Sequence, residues 1–214
     1  MALDTSRIKR SLGLLRAAHA PVLGAASHQF LLNPTLGDAE VQSFERQHRL
    51  KLPAEYRHFV TTVGNGGAGP FYGVFPVGTI DGPFGFQPWP EEDGIVGRLA
   101  EPFPLEAEWN DLRENPGDGS LDSNDPEFET KLEQFEARYW DSSIVNGAIP
   151  ICHAGCAIRI WLVITGNQRG RLWLDGRAEF SGLSPLYSNG RPATFDSWYE
   201  EWLESALREG QLGR

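Results

Sequence analysis

An α+β fold, with a mainly antiparallel mixed sheet packed by several helices, is what this chain predicts on three observations. Apolar residues recur at helical spacing up to residue 63, three apolar runs rich in β-branched residues follow one another between 144 and 174, and an aromatic stripe at helical spacing follows residue 194. The βαβ alternation of a parallel sheet is missing. The 214 residues are enough for one core without disulfides, so a single domain is expected.

The elements follow in order. Ile8, Leu12, Leu15 and Ala18 predict an amphipathic helix over 6–18, with Ser6 as cap and Pro21 as stop. Thr35 and Asp38 form a weak capping-box pattern ahead of Val41, Phe44 and His48, predicting a second helix that ends near His48. Pro53 suits a first helical position, and Tyr56, Phe59, Val60 and Val63 fall on one stripe behind it. That helix leaves through Gly64-Asn65-Gly66-Gly67-Ala68-Gly69-Pro70, a run that demands positive φ or close backbone approach, and a strand with Phe71, Tyr72, Val74 and Phe75 is expected next. Seven prolines between 79 and 126 keep regular structure there short. Phe128, Leu132, Phe135 and Tyr139 then predict a helix, and 144–152, 157–165 and 171–174 read as a strand meander. Thr194 caps a last helix whose stripe of Phe195, Trp198, Tyr199, Trp202, Leu203 and Leu207 is expected to be core, with Gly210 beyond its end.

Charge is concentrated in one place. The chain carries 19 basic and 29 acidic residues, a net −10 that disfavours nucleic acid and anionic membrane as ligands. Residues 91–143 hold sixteen acids against four bases, a net −12, so everything else nets +2. Most charge runs are solvated loops that aid solubility. The sharper expectation is a surface for a cationic protein partner, built from Glu91, Glu92, Asp93, Glu106, Glu108, Asp111, Glu114, Asp118 and Asp122. Glu106, Glu108, Asp111 and Glu114 lead as a short, loop-flanked group, whereas Glu133 and Glu136 read as solvation of a helix face. Two cysteines, no apolar run long enough to span a membrane and no signal-type apolar segment at the N-terminus suit a cytoplasmic protein.

Catalytic readings find little purchase. The glycine run leaves a helix rather than opening one, and no Lys-Ser or Lys-Thr pair follows it, which argues against a phosphate loop. Cys152, His153 and Cys156 lack a fourth zinc donor, and in a strand Cys152 and His153 point to opposite faces; buried, reduced thiols are expected. The five histidines sit in no nucleophile context, and His58 is expected to be solvated. With sixteen acids in one segment, any carboxylate pair suggestive of a glycosidase arises by chance. The expectation is no enzyme, no metal and no cofactor.

Leu52-Pro53-Ala54-Glu55-Tyr56-Arg57-His58-Phe59, the run from Gly64 to Pro70, and Tyr72-Gly73-Val74-Phe75-Pro76 together resemble the signature of the SUKH family, which includes yeast cell-wall assembly regulators and bacterial immunity proteins. Ile151-Cys152-His153 ahead of Gly155-Cys156, the strand before Gly166, Gly170-Arg171-Leu172-Trp173 and the terminal Trp198, Tyr199, Trp202 group are similar to it as well. On that resemblance Pro53, Tyr56, Gly64, Asn65, Gly66, Gly67, Gly69, Pro70, Tyr72, Gly155, Cys156, Trp173, Trp198 and Trp202 have structural roles. Residues 1–33 form an N-terminal helix and linker, and 34–214 the family domain, with an acidic insertion rich in Pro and Gly at about 91–126. The resemblance implies a cytoplasmic immunity protein that binds and neutralises a basic toxin, a nuclease being one candidate. A regulatory interaction module with an endogenous partner is the alternative.

Overall fold

A computed structural model of the chain describes residues 3–82, 85–89, 95–118 and 124–212. Its centre is an antiparallel meander of β3 (Ala148–Gly155), β4 (Ile158–Val163), β5 (Leu172–Asp175) and β6 (Leu183–Pro185), paired in that order. Period-two alternation makes the sheet two-sided. Ile160 and Leu162 enter one core, while their neighbours Trp161 and Val163 enter another. A bulge between Pro150 and Cys152 interrupts the alternation on β3, so Ile151 and Cys152 both join the first core.

Helices cover the first face. They are α1 (Thr5–Ala17), α2 (Ala25–His28), α3 (Asp38–Gln47), α4 (Ala54–His58) and the terminal α6 (Phe195–Leu212). Ile8, Leu12 and Leu15 of α1 share this core with Tyr56, Phe59, Val60 and Val63, and with Phe195, Tyr199, Leu203 and Ala206 of α6. Phe59 and Tyr199 meet at a ring separation of 5.1 Å, and Phe59 and Phe195 at 4.8 Å.

The sheet's second face is covered by part of the acidic segment. Phe103, Val145, Ala148, Trp161, Val163, Trp173 and Leu183 form the second core, with Ile95, Leu105, Trp109 and Ile144 packed against it. Trp109 exchanges main-chain hydrogen bonds with Leu183, adding one more rung beside β6. Part of a segment expected to be an insertion is therefore a layer of the fold.

Local departures from expectation have local causes. Asp4, not Ser6, caps α1, its carboxylate accepting from the Arg7 amide at 3.0 Å. At α3 the Gly37 amide donates to the Glu40 carboxylate at 2.7 Å, so Thr35 is not the cap. Pro53 is the residue preceding α4 rather than its first, and the helix continues as a π-helical turn over Phe59–Val63. The expected strand at 71–75 is only a turn and single bridges, Gly67 to Val74 and Val74 to Cys152. The proline-rich stretch does hold a short hairpin, β1 (Thr79–Gly82) with β2 (Gly85–Pro88), and a second hairpin pairs β7 (Tyr187–Ser188) with β8 (Arg191–Pro192). Helix α6 runs through Gly210 instead of stopping before it. Among the described residues no helix is long and apolar enough to cross a membrane.

The glycine run closes the chain on itself. Gly67, at φ +101, lies where an added Cβ would stand 2.5 Å from the Leu31 carbonyl, and one on Gly69 would stand 2.6 Å from Val74 Cγ2. The amides of Gly64, Asn65, Gly66, Gly67 and Ala68 all donate to main-chain carbonyls. The Tyr199 hydroxyl then donates to the Ala68 carbonyl at 2.8 Å, tying the turn to α6.

Candidate functional site

The acidic face is built on helix α5 (Phe128–Tyr139). Phe135 and Tyr139 turn inward, and Tyr139 is held by rings on several sides: Trp109 at 5.4 Å, Phe135 at 5.2 Å, Trp140 at 5.7 Å and Phe180 at 6.0 Å. Its hydroxyl donates to Asn110 Oδ1 at 2.8 Å and accepts from the Gly182 amide at 3.2 Å. Asn110 Nδ2 in turn donates to the Phe180 carbonyl at 2.8 Å. This chain of contacts fixes the 109–114 loop, the end of α5 and the turn before β6 as one rigid patch.

On that patch the expected acids behave differently from one another. Glu106 and Glu108 are exposed, with Glu106 accepting from Asn167 Nδ2 at 3.0 Å. Asp111 is not a free acid: Arg113 binds both its oxygens, at 2.7 and 2.6 Å, and Arg138 approaches to 3.6 Å. The Arg113 hydrogen bonds pull its carboxyl down to about 2. Glu114 pairs with Arg138 at 3.3 Å, so Asp111 and Glu114 meet two guanidinium groups and add no net charge. Reversing this pair to Lys would set cations against Arg113 and Arg138, so Glu106 and Glu108 are the two of the four that meet no arginine among the described residues. Asp118 ends a short 3₁₀ turn, and Glu91, Glu92, Asp93 and Asp122 lie outside the described residues.

Three more unpaired carboxylates are on α5 itself. Glu129, Glu133 and Glu136 are exposed and spaced i, i+4 and i+7, hence on one stripe, and none meets a basic side chain among the described residues. Trp140 follows at i+11, 44% exposed, with the Arg177 guanidinium 5.2 Å from its ring centre. Phe180, 51% exposed, sits in the left-handed region at φ +55, a conformation that costs a bulky residue energy. An acidic stripe ending beside two exposed aromatic rings results. Sequence reading sets Glu133 and Glu136 aside as solvation of a helix face; the 129-133-136-140 spacing is the available signal.

Beneath Trp140 lies a buried ion pair that sequence reading missed altogether. Arg177 binds Asp175 through Nε at 2.9 Å and Nη2 at 2.7 Å, and Trp161 Nε1 donates to the same carboxylate at 3.1 Å. Both partners of the pair are buried. It joins β4 and β5 to the end of α5, whose Tyr139 carbonyl accepts from Arg177 at 3.4 Å.

The residues picked out by the family resemblance spread through the molecule. Tyr56 and Trp173 are buried, Trp173 with its ring 5.0 Å from Phe103 in the second core. Tyr72 is 41% exposed and stacks on His153 at 5.6 Å, beside Gly155. Cys152 is buried, its thiol donating to the Pro70 carbonyl at 3.3 Å, but Cys156 is exposed in a left-handed turn rather than buried. His58 is half-buried between the Leu3 carbonyl and Thr62, not solvated. Trp198 is buried, whereas Trp202 is only half-buried and lines a surface groove. No three His, Cys, Asp or Glu side chains converge among the described residues.

Comparison of the chain with protein-family models, curated proteins and solved structures returned no match.

Proposed function

We propose that this chain is a non-enzymatic binding domain that holds a basic protein on the α5 face. The observation that carries the reading is the stripe of Glu129, Glu133 and Glu136, unpaired among the described residues and adjoining the exposed Trp140. Free carboxylates steer a cationic partner at long range, and an exposed, pre-positioned indole supplies the desolvated anchor that charge alone lacks. The resemblance to the SUKH family makes the partner a toxin and the chain its cytoplasmic antidote. With an endogenous, non-toxic partner the same face serves a regulatory module.

The test is capture of the partner on the tagged chain, followed by association kinetics with the purified pair. The triple variant Glu129→Lys, Glu133→Lys, Glu136→Lys is expected to slow association at least about tenfold at low salt, and Trp140→Ala to speed dissociation. The triple variant should not lower the melting temperature appreciably, since exposed charges contribute little to stability. An association rate indifferent to both the variant and added salt defeats this proposal.

A further inference from the structure

A second surface lies on the first-core side of the sheet, away from α5. It is a groove of about 280 Å³ lined by Trp198, Trp202 and Ala206 of α6 on one side and by Val22, Leu23, Pro70 and Phe71 on the other. Leu23 is 61% exposed at its mouth. The loop wall is pre-formed: Gly24 has φ +78, and a Cβ there would stand 1.7 Å from the Phe71 carbonyl oxygen, so the two chain segments are in backbone contact. A cavity of about 150 Å³ suffices for benzene, so this groove has room for one large apolar side chain.

Its rim carries a definite charge pattern. Glu201, Ser205 and Glu209 line the groove at successive intervals of four along α6. Glu201 and Glu209 are exposed and meet no basic side chain among the described residues; Glu209 accepts only from the Ser205 hydroxyl, at 3.2 Å. Eight helical residues rise about 12 Å. An extended chain covers that distance in about four residues, and positions i, i+2 and i+4 of such a chain face the same way.

We propose that this groove binds an extended segment of a partner protein with the pattern basic-x-apolar-x-basic. The apolar side chain enters level with Ser205, between Trp202, Ala206 and Leu23, and the two flanking cations meet Glu201 and Glu209. Charge complementarity selects this occupant over a neutral hydrophobic one, because an uncharged ligand leaves both rim carboxylates unused. The site is independent of the α5 face and goes beyond the function proposed above.

The experiment is selection of a displayed library of random heptapeptides on the immobilised full chain, with the leading sequence then synthesised and titrated. Enriched peptides are expected to carry Lys or Arg two residues to each side of a Leu, Ile, Phe or Trp. Affinity for the leading peptide should fall at least about tenfold with Glu201→Lys plus Glu209→Lys, and separately with Leu23→Glu. Circular dichroism melting checks that both variants fold; their positions are exposed. The Glu133→Lys, Glu136→Lys variant on α5 should bind the peptide with unchanged affinity. No enrichment, enriched sequences lacking the pattern, or a loss confined to the α5 variant would each overturn the proposal, and only the last would at the same time support the α5 face.

Discussion

Asp196 occupies a place that a carboxylate ordinarily avoids. It lies in the first turn of α6, 4% exposed, and neither side-chain oxygen has a hydrogen-bond partner among the described residues. Burial raises its pKa to about 6, with Glu55 and Glu200 adding to the rise and His58 opposing it. The folded value then exceeds the unfolded one, so between about pH 4 and 6 the native state binds more protons and stability falls as pH rises. Asp196→Asn should remove that slope and add about 1–2 kcal/mol at pH 8, read from urea unfolding of both proteins across the range. Parallel stability profiles for the two would contradict this account. Asp175 has the opposite character, since its carboxylate holds both the buried Arg177 and the Trp161 indole. Truncating it leaves a buried cation unpaired, and Asp175→Ala should cost about 3–5 kcal/mol by the same measurement.

At the scale of elements, two helical glycines make a contrast. Gly13 lies within α1 with nothing within 4 Å of an added Cβ. Gly13→Ala should therefore stabilise the protein by about 0.5–1 kcal/mol, through backbone entropy alone, and raise the melting temperature. Gly210 lies within α6, where a Cβ would come to 3.2 Å from Leu15 Cδ2 and 3.3 Å from Ala20 Cβ. There the same substitution should forfeit the gain to crowding, and a rise at Gly210 equal to that at Gly13 would contradict this close approach of α6 to Leu15 and Ala20. Helix α5 shows why an apolar stripe is easier to read than a polar one. Phe135 and Tyr139 are inward because water excludes them, whereas the fate of each acid depends on whether Arg113 or Arg138 reaches it.

Over the whole molecule, the two cores share three strands. Trp161 and Trp173 point to one side while Ile160, Leu162 and Leu172 point to the other, so neither core survives loss of the sheet. Unfolding by urea should be a single transition with coincident midpoints by tryptophan fluorescence and far-ultraviolet circular dichroism. Trp173→Ala, on the side covered by the acidic segment, should lower that common midpoint and cost about 3–5 kcal/mol. Two separated transitions would mean that the acidic layer folds apart from the helical one.

The sequence by itself determined the α+β class, the three long strands of the meander, the buried faces of α1, α4 and α6, and the turn at Gly64 to Pro70. These are local or periodic properties: apolar spacing, proline and glycine stereochemistry, and β-branching act within a few residues of where they are written. Only the tertiary structure decided which acids are free. Asp111 and Arg138 are 27 positions apart, Arg177 and its neighbour Tyr139 are 38 apart, and no periodicity relates either pair. It also decided that Trp202 lines a groove rather than filling the core, because Leu23 and Phe71 arrive there from distant parts of the chain. Ion pairing and surface shape depend on which segments the fold brings together, and that is set by the sum of weak long-range contacts rather than by any one stretch of residues.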